Sequence, residues 1–176
     1  MSESSREHKE NAPQRVRVAL VTISTSRYDQ KVKGIAFADA SADVAANALT
    51  EAGHTITHKE VISDDASMIR ESVARLTSDA RVEAVVSLGG TGITISDVTI
   101  ETVRPMLEKE LEGFGEAFRR LSYDQIGTAA ILTRSTAGVI GGKAIFCLPG
   151  SPNAVETAIK ALILPEIGHI LTHARH

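Results

Sequence analysis

The chain carries a GGTG run, Gly89, Gly90, Thr91 and Gly92, and an aspartate, Asp97, five residues further on. Glycine lets the backbone approach a ligand closely and take positive φ. Successive N–H groups can then point inward, with the positive end of a following helix behind them. Such a loop suits phosphate or a phosphate-like anion, and Thr91 adds a hydroxyl donor. The run lacks the lysine of a P-loop and the spacing of a dinucleotide fingerprint. Taken alone, it serves a tight strand-to-helix connection equally well. A carboxylate beside a phosphate site is repelled unless a cation lies between them. Mg²⁺ is the usual mediator, held by one or two carboxylates together with phosphates and water. Asp97 is therefore a candidate Mg²⁺ ligand as well as a candidate helix N-cap. Asp64, at the mouth of a neighbouring strand, is the candidate second carboxylate, and Asp65 is expected to point into its helix.

Two further segments offer polar groups. "PGSPN" brings the Gly150 N–H and the Ser151 hydroxyl to a helix start. A serine N-cap with Pro152 at the first helical position explains that turn on structural grounds alone, the favoured reading of it. "EGFGE" supplies a second glycine pair and Glu116, or simply a helix–helix joint with Phe114 inward. Cys147 lies in an apolar strand and reads as an inert core thiol. His54 and His58 should share one face of a strand, and His169, His173 and His176 lie near the end of the sequence. With no cysteine or carboxylate cluster beside them, the histidines read as surface residues and not as a zinc site.

The elements that must position these groups follow from the apolar pattern. "VRVALVTIS", from Val16 to Ser24, is β-branched and apolar on both faces, as a central parallel strand is. A polar loop, "STSRYDQKVKG", is expected after it. A helix with Val44, Ala45, Ala48 and Leu49 on one stripe should end at Gly53. "HTITHKEVI" alternates as a strand does. A helix follows with Ser63 or Asp64 as N-cap and Ile69, Val73 and Leu76 inward. "VEAVVSL" is a buried strand that leads straight into the glycine loop. The helix after Asp97 should end at Pro105, and the next should turn Phe114, Phe118 and Leu121 inward. Gly141-Gly142 predicts a hairpin. A helix with Ala154, Ala158 and Leu162 on a face, then a short one after Pro165, closes the order. Strands alternating with helices predict a single α/β domain over residues 15–176, a three-layer α/β/α sandwich whose sheet is mostly parallel with a short hairpin. In such sheets ligands bind outside the carboxyl ends of the strands, where "STSRYD", "SDD", "GGTG" and "PGSPN" all emerge. Residues 1–14 are polar and read as a mobile tail.

Bulk composition narrows the classes. The 176 residues suit one domain, with a net charge of −3 that gives no basic field for nucleic acid. Aromatics at 3% with no Trp provide no stacking platform for single strands. One cysteine excludes an intrachain disulfide. With neither a signal peptide nor a membrane-length apolar run, the expectation is a cytoplasmic protein with no membrane partner.

In this order the loops resemble the MoaB/MogA family of molybdenum-cofactor biosynthesis. The likeness is carried by "SLGGTGITISDVTIE", "EGFGEAFRRLSYDQIGTAAILTR" and "IFCLPGSPNAVETAI", with "LTEAGH" and the first-strand loop, from about Val16 to Leu171. The resemblance implies a homotrimer or homohexamer that adenylylates molybdopterin. AMP from ATP would join the terminal phosphate of the pterin, with Mg²⁺ as cofactor and pyrophosphate released, and a molybdate- or tungstate-insertion protein would act downstream. By motif, Asp97 falls on the aspartate that closes the family's GGTG motif and Asp64 on its acidic residue after the second strand; both are expected to be catalytic, Asp97 holding Mg²⁺ and Asp64 supporting the metal or its waters. Gly89, Gly90, Thr91 and Gly92 fall on the anion cradle, Pro149, Gly150 and Ser151 on the PGS loop, and Ser24 and Ser26 on the first-strand loop. Glu116 falls in the family's EGFGE segment, and Ser151 is expected to bond a phosphate. Three positions depart from the pattern: Ile95 and Ser96 stand where Pro and Arg are frequent before the aspartate, and Ala42 stands where Gly is usual. The missing arginine motivates an alternative, a non-catalytic module that binds molybdopterin or a nucleotide. A nucleotide pyrophosphatase like the amino-terminal domain of competence-damage proteins is a third reading, and Thr91 and the intact EGFGE fit it less well.

Overall fold

The structure, a computed structural model, describes residues 12–175, so most of the tail expected over residues 1–14 lies outside the described residues, as does His176. Six strands form one sheet: β1 (Arg17–Ile23), β2 (Thr55–Ile62), β3 (Ala84–Leu88), β4 (Lys109–Glu110), β5 (Thr136–Ile140) and β6 (Lys143–Leu148), in the order β2-β1-β3-β6-β5-β4. The first four in that order run parallel, whereas β5 pairs antiparallel with β6 and β4 antiparallel with β5. The helices are α1 (Thr25–Val32), α2 (Ala40–Glu51), α3 (Ala66–Ser78), α4 (Thr99–Val103), α5 (Glu112–Ile126), α6 (Pro152–Ala158) and α7 (Leu164–Ala174).

The strands alternate between two cores because successive side chains point to opposite faces. Val18, Leu20, Val86 and Phe146 pack with Leu49 of α2, Phe118 of α5 and Val155 of α6. Ala19, Val21, Val85 and Cys147 face Ile69, Val73 and Leu76 of α3 and Val103 of α4. This is the three-layer α/β/α sandwich expected from the sequence. The hairpin is present too, with Gly141 at φ 56° and Gly142 at φ 73° in its turn.

Several local expectations are corrected. The segment after β1 is not a loop but α1, which buries none of its residues and starts because the Ser24 side chain accepts from the Arg27 N–H. Asp65, and not Ser63 or Asp64, caps α3 by accepting from the Met68 N–H. The last two helices are continuous through a π-helical turn, Ile159–Ile163, with Pro165 in the first turn of α7. The wider turn shifts the helical phase. Val155, Ala158, Ile159 and Ile163 are therefore the buried stripe, and Ala154 and Leu162 lie at its margin. Leu121 is only half-buried. His54 is not a surface residue: it precedes β2, is buried, and its Nδ1 accepts from the Val16 N–H at 3.1 Å. Burial lowers its pKa below the ordinary 6.5.

Candidate functional site

The glycine loop leaves β3 with Gly89 at φ 109° and Gly90 at φ 62°. At Gly89 a side chain would run into the carbonyl of Ile23, so glycine is needed there for conformation and for contact. Thr99, fully buried at the start of α4, closes the loop on itself: its Oγ1 donates to the Gly89 carbonyl at 3.0 Å and its N–H to the Gly90 carbonyl at 2.9 Å. No side-chain bond caps α4, whose N-cap is Val98. Asp97 is thus not the cap. It turns back into its own loop, where Oδ2 accepts from the Thr94 N–H at 2.9 Å and the Thr94 hydroxyl at 2.6 Å. The Thr94 hydroxyl is the chief reason its pKa lies below the ordinary carboxylate value, with burial opposing and Arg134 assisting.

Arg134 is the residue the sequence reading missed. Its Nη1 donates to the Gly92 carbonyl at 2.9 Å and its Nη2 bonds Glu101 of α4. A guanidinium therefore does reach the glycine loop, although Ile95 and Ser96 stand where the family pattern has Pro and Arg. It arrives from just before β5. Its trace in the sequence is the "LTR" that precedes a buried strand.

Asp64 sits on the other side of Gly90. Its Oδ2 accepts from the Thr25 N–H at 2.7 Å and the Thr25 hydroxyl at 3.0 Å. Its Oδ1 lies 2.8 Å from where a Gly90 side chain would begin. Asp64 thereby braces the start of α1 against the glycine loop. Ser24 caps α1, with its hydroxyl 3.3 Å from that of Ser26. Ser151 caps α6, its Oγ accepting from the Ala154 N–H at 3.3 Å. The Gly150 carbonyl accepts from Ser41 at 2.6 Å. A side chain at Gly150 would begin 3.3 Å from the Gly89 Cα, so the two loops lie backbone against backbone.

Between them opens a cleft of about 380 Å³, lined by the GGTG run, Asp97, Arg134, Pro149, Gly150 and Ser151, with Ile126 and Leu132 at its apolar edge. All four sequence-derived loops converge on this edge of the sheet. Asp64, Ser24 and Ser26 stand behind the glycine loop and not among the residues that line the cleft. Glu116 lies elsewhere, in a separate depression with Arg104, Arg119 and Ser135. Cys147 is buried as expected, and burial pushes its thiol up to about 11. Among the described residues no group of three or more His, Cys, Asp or Glu could by itself hold a metal. A Mg²⁺ site here would thus draw on Asp97 together with phosphates and water, the donor set that ion usually takes.

The fold and site thus define an α/β/α sandwich with a glycine loop beside one ionised carboxylate at the carboxyl ends of its parallel strands. Comparison makes the class specific. Residues 19–169 match the family model described as "Probable molybdopterin binding domain", and the chain belongs to that family. It is 46% identical over 165 residues to molybdenum cofactor biosynthesis protein B of Bacillus anthracis, covering 93% of this chain and 94% of that one. It is 40% identical over 173 residues to the molybdopterin adenylyltransferase of Pyrococcus furiosus, covering 96% and 97%. A crystal structure of a molybdenum cofactor biosynthesis protein B superposes with a TM-score of 0.85 at 43% identity, over 94% of this chain and 99% of that one.

Proposed function

We propose that the protein adenylylates molybdopterin in molybdenum-cofactor biosynthesis. An oxygen of the pterin's terminal phosphate attacks the α-phosphorus of ATP, the bond from that phosphorus to the bridging oxygen breaks, and pyrophosphate leaves. The obstacle is repulsion between two anions: unit charges 4 Å apart near a protein surface interact by about 4 kcal/mol. The supporting observation is the juxtaposition in one cleft of the GGTG backbone, Arg134 and the ionised Asp97.

The Gly89–Gly92 amides and the Pro149–Ser151 turn receive phosphate oxygens, with the Ser151 hydroxyl as a further donor. Arg134 holds the Gly92 carbonyl, which turns it away from the anion. Asp97 binds Mg²⁺ in this reading. Asp64 supports the metal's water shell or, through Thr25, the loop that carries Ser24 and Ser26. Bound Mg²⁺ supplies screening of phosphate charge. No general base is required, because the attacking phosphate is already ionised at pH 7. In-line positioning of the two phosphates does the remainder. We take the assembly to be a homotrimer or homohexamer and the location cytoplasmic. Among the described residues no helix is long and apolar enough to cross a membrane.

The test is incubation with molybdopterin, ATP and Mg²⁺, followed by detection of adenylylated pterin and pyrophosphate. Asp97→Ala should abolish turnover with an unchanged circular dichroism spectrum. Tight molybdopterin binding without ATP-dependent product would assign the chain to the binding-module reading instead.

A further inference from the structure

Thr99 is fully buried at the first position of α4, and its two donors end on successive carbonyls of the glycine loop. Its hydroxyl donates to the Gly89 carbonyl at 3.0 Å and its N–H to the Gly90 carbonyl at 2.9 Å. The fit is close: a side chain at Gly90 would collide with the Thr99 hydroxyl.

These two bonds fix more than the carbonyls. A planar trans peptide carries its C=O and its N–H on opposite sides, and no peptide among the described residues is cis. The Gly89 carbonyl shares its peptide with the Gly90 N–H, and the Gly90 carbonyl shares its own with the Thr91 N–H. With both carbonyls drawn to Thr99, both N–H groups point away from it. Gly89, Gly90 and Thr91 line the cleft and Thr99 does not, so the side away from Thr99 is the cleft side.

The neighbouring amides are already engaged. The Gly89 N–H donates to the Leu148 carbonyl at 2.9 Å, and the Gly92 N–H faces the Asp97 carboxylate. The Gly90 and Thr91 N–H groups have no acceptor among the described residues. Thr91 is only 3% exposed, and its hydroxyl has no partner there either. Buried backbone donors are nearly always paired. Two adjacent ones left open on a cleft form a concavity suited to an anion.

We propose that Thr99 is a positioning residue for adenylyl transfer: by holding the Gly89 and Gly90 carbonyls, it aims the Gly90 and Thr91 amides at a phosphate oxygen. Within the adenylylation reading, on which this rests, the glycine loop's phosphate donors narrow to these two amides and the Thr91 hydroxyl. The bonds they make to phosphate exist in the ground state and in the transition state alike. Disturbing them should therefore raise KM and spare kcat.

The test pairs kinetics with amide resonances on the full chain. Thr99→Val keeps the N–H bond to Gly90 and removes the hydroxyl bond to Gly89. It should raise KM for the substrate whose phosphate the loop holds by about tenfold, with kcat close to that of the parent. Thr99→Ser retains the hydroxyl and should return KM to within about twofold of the parent. Melting curves of both variants separate a loss of fold from a loss of aim, since a merely structural role would lower the melting temperature and leave KM of the folded enzyme alone. The binding probe is pyrophosphate, the released product, with Mg²⁺. In the ¹⁵N-labelled parent it should shift the Gly90 and Thr91 amide resonances and leave that of Gly89 in place. That titration needs no variant to fold. Gly90 and Thr91 resonances that pyrophosphate leaves unmoved, or a folded Thr99→Val enzyme with the KM of the parent, would overturn the proposal while adenylylation by the parent stands. A parent that forms no adenylylated pterin would remove the adenylylation reading and this assignment together.

Discussion

The substitution Gly92→Ala probes Asp97 without touching it. Gly92 has no positive φ, so alanine is compatible with its backbone. The added methyl would lie 2.7 Å from Asp97 Oδ2 and 3.2 Å from its Cγ, whereas ordinary contact begins at 3.4 Å. The carboxylate must therefore retreat by about 0.7 Å, stretching its bonds to the Thr94 N–H and hydroxyl. A displacement near 1 Å at a positioning group can cost about a hundredfold in rate. We expect kcat for molybdopterin adenylylation to fall about 30- to 100-fold, or about 2–2.7 kcal/mol of barrier. The melting curve should stay close to that of the parent. The contrast is Gly89→Ala, at φ 109° and against the Ile23 carbonyl, which should lower stability as well as rate. The assay is the initial rate of adenylylated-pterin formation across a Mg²⁺ titration, and the Gly92→Ala loss should be partly recovered at high Mg²⁺. A kcat within twofold of the parent and an unshifted Mg²⁺ dependence would refute the idea that the position of Asp97 governs turnover.

Three further outcomes are expected. Ser151→Ala should cost about 1 kcal/mol of stability through loss of the α6 cap, and raise KM for phosphate-bearing ligands; thermal melts and steady-state kinetics read the two effects separately. Because burial lowers the His54 pKa in the folded chain, the unfolded state takes up its proton first as pH falls. The stability His54 contributes is therefore complete above about pH 6.5 and declines below it. Denaturant titrations of the parent should show a drop from pH 7 to pH 5 that is shallower in His54→Gln. Cys147, buried with its thiol pushed up to about 11, should resist alkylation in the native protein and react on unfolding, as mass spectrometry of iodoacetamide-treated samples would show.

The sheet and its larger helices were legible because β1, β3 and β6 are apolar on both faces and α2, α3 and α5 carry a clear inward stripe. The meeting of four loops at one edge followed from strand order alone. What escaped had no apolar signature. α1 buries nothing, so its start rests on a serine that a sequence reading assigns to a loop with equal ease. β4 is two exposed charged residues, held by the Leu111 N–H on the Ala137 carbonyl at 2.7 Å and placed against Gly138. The π turn was hidden because periodicity assumes one pitch throughout. At the cleft, the residue types were readable, but Arg134 reaches the Gly92 carbonyl from 42 positions away, beyond any local pattern. Asp97 looked like a cap because caps and loop-internal carboxylates share their composition.

The contact of Gly150 with Gly89 joins the ends of two adjacent strands into one unit, further fixed by the hydroxyl of Ser41. Neither turn can swing aside unless the other follows. If the reactants bind in this cleft, its floor is already assembled before either arrives, and little ordering entropy would be left for their encounter to spend.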